Sequence, residues 1–365
     1  MLGPRHVRLL IAAVVPMVLA TWLLFSGVEL LGTFFNETDE IGIGDYTLAD
    51  ALSYTLLTLP HTLYGMLPYG VIVGLLLGLG QLAGRSELIA LQAAGASRGR
   101  IGSVVVCAVL VLATLVMYGA ETVGSQAYRM ANALVAQAKQ QQGLSIGTSS
   151  GLWMKDGLDI INAATVVTSE TSDSNKPDLW KVRIYRFDGA GRLTSVVSAA
   201  DAKPTDDGWT LREVTTQHVM DGLQVQTQPT MAWRSSLRAD LIAARSLRPR
   251  QQSLAELSRS IRYARSNTLD DQALVSAWWY RFTFPLKVLS LALLALPFAF
   301  GNLRSGGFAK RVFVGMLLGI AFYFLQRTVA NLFETLHWNL AAAHLLPPVL
   351  LGLTGMWLLK RGAAR

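Results

Sequence analysis

Six apolar stretches, Val7 to Leu31, Met66 to Ala83, Ile101 to Ala120, Trp278 to Phe300, Phe313 to Leu332 and Ala341 to Leu359, fall into two groups of three around a polar centre. A helix that crosses a bilayer needs about 20 predominantly apolar residues, and each stretch comes close to that. At 52% hydrophobic and 15% charged residues over 365 positions, the chain lies outside the composition of an ordinary soluble domain. Arg5 and Arg8 precede the first stretch as in a signal peptide. Its apolar run, however, is far longer than the roughly 7 to 15 residues of a secretory h-region, so the sequence predicts a retained anchor.

Lys and Arg in short loops stay on the cytoplasmic side. With the N-terminus inside, the four inner segments hold Arg5 and Arg8; Arg85, Arg98 and Arg100; Arg304, Lys310 and Arg311; and Lys360, Arg361 and Arg365, with Glu87 as their only acid. The short outer segments, 31–65 and 333–340, contain no Lys or Arg and carry Glu37, Asp39, Glu40, Asp45, Asp50 and Glu334. The formal net charge of +8 is therefore mostly a topology signal and points to no nucleic-acid partner. Both termini are expected in the cytoplasm. Cys107 is the single cysteine, which excludes an intrachain disulfide.

The expected organisation is residues 1–120 as spans one to three, 121–275 as an outward-facing insert, and 276–365 as spans four to six. Within the insert, Thr122 to Gln142 has helical spacing and predicts a stem that continues the third span. Trp180 to Phe187 then alternates with period two, Asp188-Gly189 marks a turn, and Leu193 to Ala199 alternates again. Leu152 to Ala163, Gly208 to Val219 and Leu223 to Trp233 are further strand candidates, giving an all-β sandwich or roll over about 150–245. Trp180, Val182, Ile184, Val196, Trp209, Leu211 and Val214 form the expected inner face, which either fills a core or lines a cleft for acyl chains. Ser253 to Ser266 reads as a return helix.

Between the second and third stretches lies a short polar interruption, Gly84 to Arg100. Ser86 is a candidate N-cap, Glu87 suits the positive end of a helix dipole, and Gly95 supplies a left-handed stop, which predicts a helix over 86–94. At roughly 13 Å it is too short to cross a bilayer, and it suits a knob that another protein grips. No GxxxxGK[ST] loop is present, so any nucleotide-driven work needs a separate subunit. His6, His61, His218, His337 and His344 are scattered without an HExxH motif or a Cys pair; no metal site and no catalytic set is expected. Gly70, Gly74 and Gly78 leave a smooth helix face that fits either packing within the chain or a subunit interface. Pro16, Pro68, Pro285, Pro297 and the Pro347-Pro348 pair interrupt four of the six spans. Arg327 in the fifth stretch faces protein, water or the outer headgroups, and His61 lies at a similar depth; together they are candidates for an anionic head group.

The run Leu75 to Leu88, with Gln92-Ala93-Ala94-Gly95 after it, resembles the LptF/LptG permease family of lipopolysaccharide export. Gly151-Leu152-Trp153-Met154-Lys155-Asp156-Gly157 and Phe300-Gly301-Asn302-Leu303-Arg304-Ser305 agree with that family, and the likeness covers essentially the whole chain. The resemblance implies an α-helical membrane protein of six transmembrane helices, three plus three, with an inserted periplasmic β-jellyroll. It implies a non-catalytic permease that extracts lipopolysaccharide from the outer leaflet of the bacterial inner membrane and passes it to a periplasmic jellyroll bridge. The implied partners are a sister permease, two copies of a cytoplasmic ABC ATPase resembling LptB, and a periplasmic jellyroll protein resembling LptC. ATP is used by the ATPase and no cofactor is bound by this chain. Arg85, Ser86, Glu87, Leu88, Leu91, Gln92, Gly95 and Arg98 would form the ATPase-docking element. His61, Met66, Arg311, Tyr323 and Arg327 would belong to the lipid pathway. The family tends to place lysines at the outer end of the first helix, whereas Glu29, Asn36, Glu37, Asp39 and Glu40 stand there here, so head-group contacts shift to His61, Arg327, the partner subunit or bridging divalent cations. The competing reading is a membrane-anchored scaffold with a periplasmic β-sandwich that transports nothing.

Overall fold

A computed structural model describes residues 4–139, 152–168, 177–205, 208–219, 224–235, 248–300 and 308–363. Gly151, the end of the stem at 140–142 and the loop at 301–307, including Arg304, lie outside the described residues. The chain divides into two compact units: residues 1–33, 59–124 and 275–365 form the first, and 34–58 with 125–274 form the second.

The first unit is a helical bundle. Its helices are α1 (Pro4–Thr38, whose end enters the second unit), α3 (Leu59–Gly84), α4 (Glu87–Ala93), α5 (Arg98–Gly119), α8 (Gln272–Phe282), α9 (Phe284–Phe300), α10 (Phe308–Thr335) and α11 (Leu340–Ala363). Five helices are long and apolar enough to cross a membrane, and the pair α8–α9, bent by 51°, makes a sixth span. The bend falls at Pro285, one of the prolines that interrupt the spans: Pro285 cannot donate an amide to the helical ladder, so the chain breaks at Thr283 and restarts at Phe284. α3 is the central element, with Leu67, Val71, Ile72, Leu75, Leu76 and Leu79 fully buried. The glycine stripe on α3 serves packing within the chain. A Cβ built on Gly70, Gly74 or Gly78 would stand 2.5 Å from the Trp22 Cα, 2.4 Å from the Val18 Cα and 2.9 Å from the Ala13 carbonyl oxygen of α1, respectively. The close approach also lets Thr21 Oγ1 donate to the Gly70 carbonyl at 2.7 Å and Trp22 Nε1 to the Leu63 carbonyl at 2.8 Å, which ties the two helices through lipid-depth hydrogen bonds.

The second unit joins a six-stranded sheet to helices α2 (Leu48–Leu57), α6 (Ser125–Lys139) and α7 (Leu254–Ser266). The strands β1 (Leu152–Asp156), β2 (Asp159–Thr168), β3 (Pro177–Phe187), β4 (Leu193–Thr205), β5 (Gly208–His218) and β6 (Gln224–Trp233) form an antiparallel meander, each paired with its neighbour in sequence. The expected single strand from Leu152 to Ala163 is two strands, because Asp156-Gly157 makes a tight hairpin with Gly157 at φ +61°. The sheet rolls far enough for Ser235, just beyond β6, to donate to Asp156 Oδ2 at the end of β1, 2.6 Å away. The edge of β1 is covered: Tyr263 of α7 donates its hydroxyl proton to the Lys155 carbonyl at 2.6 Å and accepts the Lys155 amide at 2.8 Å.

Alternation along the sheet is not continuous, which corrects the expected inner face. Leu179 and Val182 are both buried, while Trp180 between them is 48% exposed. The phase slips at Lys181, held at φ +50°, and again in β5 at Glu213, at φ +52°, between buried Leu211 and buried Val214. The β3–β4 pairing skips Lys181 between Trp180↔Asp201 and Val182↔Ala199, and the β5–β6 pairing skips Glu213, opposite Pro229, between Arg212↔Thr230 and Val214↔Gln228. A left-handed residue turns the following side chain to the other face, so a strict period of two misassigns everything on one side of the slip. In β4 the buried valine is Val197, opposite Ile184 of β3, and not Val196.

At the slip, Asp201 of β4 points inward at 2% exposure and accepts from Arg212 Nε at 2.7 Å. The hydrogen bond from Arg212 holds the Asp201 carboxyl below the usual carboxylate range despite its burial. The stabilisation is thus fully present above the unfolded value of about 3.9 and is lost as pH falls below it. Amide-exchange protection of β4 and β5 should drop as pH goes below about 3.9, and Asp201→Asn should show the lower protection already at neutral pH. A flat profile with wild-type protection in the variant would remove this pair from the stability of the sheet.

Candidate functional site

A cavity of about 230 Å³ opens in the first unit among α1, α3 and α10. Phe25, Val28 and Glu29 line it from α1, Met66, Tyr69 and Val73 from α3, and the segment Gly315 to Ile320 from α10. The walls are apolar except for Glu29. Gly315 and Gly319 let α10 approach: a Cβ at Gly315 would meet Val73 Cγ2 at 3.0 Å, and one at Gly319 would meet Tyr69 Cδ1 at 3.3 Å. Tyr69 makes an edge contact with Tyr323 at 6.3 Å between ring centroids, and Arg327, one turn farther along α10, donates to the Tyr323 hydroxyl at 2.6 Å. Of the residues expected on a lipid pathway, Met66 lines the cavity and Tyr323 with Arg327 flanks it through Tyr69. His61 stands on α3 ahead of Met66, partly exposed and outside the lining. Arg311 lies in the first turns of α10, with its side chain outside the described residues. Phe25, Tyr69 and Ile320 were missed because nothing in a uniformly apolar helix distinguishes a cavity wall from a core contact.

The polar interruption folds as α4, Glu87 to Ala93. Ser86 does not cap it: Ser86 takes a left-handed conformation at φ 62° and its side chain makes no capping bond. The tight turn out of α3 imposes that geometry, since the Ser86 amide bonds the Ala83 carbonyl at 3.1 Å. The stop at Gly95, φ +88°, has the amides of Gly95 and Ala96 bonded back to the Gln92 and Leu91 carbonyls, both at 3.0 Å. Leu88 and Leu91 are 3% and 5% exposed, so they anchor α4 to the bundle and offer nothing to a partner directly. The presented surface is Arg85, Ser86, Ile89, Ala90, Ala93 and Gly95, with Glu87, Gln92 and Arg98 partly exposed at its border. Ile89, Ala90 and Ala93 were not among the expected contacts, because helix boundaries and facing were needed to separate them from Leu88 and Leu91.

A third group was not foreseen. Arg281, at the end of α8 and with its side chain 3% exposed, donates from Nη1 to Glu121 Oε1 at 2.6 Å. Glu121 belongs to a π-helical turn, Ala120–Gly124, that joins α5 to α6. The Arg281 guanidinium lies 5.4 Å from the ring centroid of Tyr64, which stacks on Phe284 at 4.0 Å. Nearby in sequence, Lys287 is 3% exposed; it donates to the Tyr280 carbonyl at 2.8 Å and lies 3.4 Å from the Tyr280 ring centroid. His344 is 1% exposed between Ser276, at 3.1 Å, and Gln326, at 3.3 Å. Arg281 and Lys287 stand in or beside the fourth apolar stretch, and charges at such positions are the signal that marks this cluster. Among the described residues no group of three or more His, Cys, Asp or Glu is arranged to hold a metal ion.

Comparison with known proteins agrees with this architecture over nearly its full length. The family model described as "Lipopolysaccharide export system permease LptF/LptG" matches residues 8–361. The chain is similar to the lipopolysaccharide export system permease protein LptG of Escherichia coli strain K12, with 33% identity over 346 residues, covering 93% of each chain. It is also similar to the protein of that name from Haemophilus influenzae, with 30% identity over 347 residues, 94% of this chain and 95% of the relative. Six apolar spans, an inserted antiparallel sheet and a match this complete place the chain, a multi-pass membrane protein, in the LptF/LptG family of lipopolysaccharide export permeases.

Proposed function

We propose that this chain is a permease subunit that takes lipopolysaccharide from the outer leaflet of the bacterial inner membrane and passes it to a periplasmic jellyroll bridge. The observation that carries this reading is the presence, in one spanning unit, of an apolar cavity and of a short, exposed helix anchored on the cavity's own helix α3. In the orientation set by the basic residues, α4 faces the cytoplasm and the sheet-bearing unit faces the periplasm. α4 docks a cytoplasmic ABC ATPase, present in two copies across a heterodimer with a sister permease, and a periplasmic jellyroll protein receives the lipid. The cavity of about 230 Å³ falls short of the ~300–1,000 Å³ of a pocket that encloses a drug-sized ligand, which suits one wall of a larger chamber shared with the sister subunit. Glu29 in the wall and the acids after it repel lipid phosphates. Arg327, oriented by Tyr323, with His61, takes the head-group contact at the rim.

Reversing a charge at the border of α4 tests the docking assignment. Glu87→Arg should leave the protein folded and inserted while the ATPase binds at least about tenfold more weakly, the change that ~1.4 kcal/mol produces. Pull-down of the nucleotide-binding subunit and ATP-driven lipid release from proteoliposomes read it. Normal coupling in the variant would overturn the role of α4, and wild-type protein that co-purifies with no ATPase would favour the scaffold reading.

A further inference from the structure

Two opposite charges stand on the helices that flank the cavity of the first unit. Between Val7 and Leu31 the charged residues are Arg8 and Glu29, and between Phe313 and Leu332 the sequence carries a single charge, Arg327. Glu29 continues the α1 face of Phe25 and Val28 at i, i+3 and i+4, and all three line the cavity. On α10, Ile320 lines the cavity, and Tyr323 and Arg327 follow it at i+3 and i+7, on the same helical face.

Packing against α3 sets both charges at one depth. Trp22 of α1 stands at Gly70 and Val18 at Gly74, while α10 brings Gly319 to Tyr69 and Ile72 and Gly315 to Val73 and Leu76. α1 and α10 therefore run in one direction, antiparallel to α3. At ~1.5 Å per residue, Glu29 lies about 10 Å beyond Trp22 and Arg327 about 12 Å beyond Gly319, both toward the start of α3. An acid and a base thus meet the same end of an apolar cavity.

The two do not neutralise each other. Glu29 is exposed, and among the described residues no ion pair occupies its carboxylate or the Arg327 guanidinium. Arg327 donates only to a neutral partner, the Tyr323 hydroxyl at 2.6 Å, which holds the guanidinium without compensating its charge. Charges within spans are costly and mark substrate paths. A head group with phosphate alone satisfies Arg327 and is repelled by Glu29, whereas one that carries a phosphate and an ammonium together answers both.

We propose that this end of the cavity selects a zwitterionic head group: the lipid's phosphate sits on Arg327 and an amine attached to that phosphate sits on Glu29. The substrate class is then lipopolysaccharide whose phosphates carry a primary amine, as a phosphoethanolamine group supplies. The proposal rests on the transport reading above and narrows it.

A matched pair of lipids tests the selection. The full-length protein, within the complex it forms, is held in maltoside detergent with EDTA, and bound fluorescent lipid A is displaced by lipid A with bare phosphates or by the same lipid A with phosphoethanolamine on its phosphates. Wild type should prefer the amine-bearing form by about fivefold, the effect of one partly exposed ion pair. Glu29→Gln should lose the preference and Glu29→Lys should reverse it, both melting near the wild-type temperature because position 29 is exposed. Arg327→Gln should weaken both forms alike. Equal displacement by the two forms in wild type overturns the proposal and leaves the transport reading standing, and a preference that survives Glu29→Gln overturns it as well. Phosphatidylethanolamine that competes as well as amine-bearing lipid A overturns it in favour of an ordinary phospholipid. Magnesium that strengthens binding of the bare form to wild type and not to Glu29→Gln overturns it in favour of a bridging cation. If neither form displaces the bound lipid saturably, the transport reading itself fails and takes the proposal with it.

Discussion

Gly74→Val is expected to prevent correct assembly of the spanning unit. A Cβ at position 74 would lie 2.4 Å from the Val18 Cα, 2.7 Å from the Val18 nitrogen and 2.8 Å from Thr21 Oγ1. Two of these three atoms are backbone, so no rotamer change relieves the clash, and α1 must move away from α3. That movement also stretches the bonds from Thr21 to the Gly70 carbonyl and from Trp22 to the Leu63 carbonyl. Overpacking that side chains can absorb costs about 1–3 kcal/mol; here the loss should exceed that range. Gly65→Ala is the matched control, since a Cβ there meets nothing within 4 Å, and it should melt at or above the wild-type temperature. Thermal unfolding in detergent, followed by size exclusion and tryptophan emission, reads both. A Gly74→Val protein that melts within a few degrees of wild type would show that the stripe serves another contact.

Arg281→Met should be the most damaging change among the buried polar residues. It leaves Glu121 without its 2.6 Å partner and removes the cation beside the Tyr64 ring. Breaking one side of a buried pair typically costs ~3–5 kcal/mol, whereas replacing both sides with neutral groups of similar size is far less harmful. Glu121→Gln with Arg281→Met should accordingly recover much of the stability lost in the single variant, and the double-mutant cycle should give a coupling above ~1 kcal/mol. Simple additivity of the two variants would mean that the pair contributes only as two independent polar residues. The position of the pair explains its interest. Glu121 lies in the π-helical turn through which α5 continues into α6, and Arg281 lies two residues before the break between α8 and α9. π-helical turns recur at functional sites, and here one irregular helix is bonded to another.

Legibility differed sharply between parts of the chain. Five of the six spans were readable in place, though the helices run past the apolar stretches, by seven residues at the end of α1 and at the start of α3, because a bilayer demands about 20 apolar residues but sets no limit on how far a helix continues. The fourth was readable as an apolar run but not as a bent pair, since Pro285 sits equally well inside a kinked helix. In the sheet, β5 and β6 were found by period and turn residues, while Asp156-Gly157 was passed over and β1 merged with β2. The inner face was right for Val182, Ile184, Trp209, Leu211 and Val214 and wrong for Trp180 and Val196; the left-handed residues at Lys181 and Glu213, which shift the phase beside Trp180, leave no trace in hydrophobic periodicity. For the site, the extent of α4 and its stop at Gly95 could be read from local chemistry; its facing and the conformation of Ser86 could not. Arg327 was singled out for its charge and lies beside Tyr323, but the neutral residues that build the cavity carried no such mark.

By itself, the sequence determined that this chain spans a membrane about six times, which loops carry positive charge, that a β-rich insert separates two groups of three spans, and that a short polar helix interrupts the first group. These are consequences of solvation and local backbone preference, which act on neighbouring residues and so are written along the chain. Only the tertiary structure decided that the glycines of α3 receive α1, that Glu121 meets Arg281 across 160 residues of sequence, that Met66 and Ile320 share a cavity, and that α2 turns its leucines outward. Each of these depends on which faces meet at a distance of a few ångströms, and an apolar residue looks the same in sequence whether it faces lipid, a cavity or a neighbouring helix.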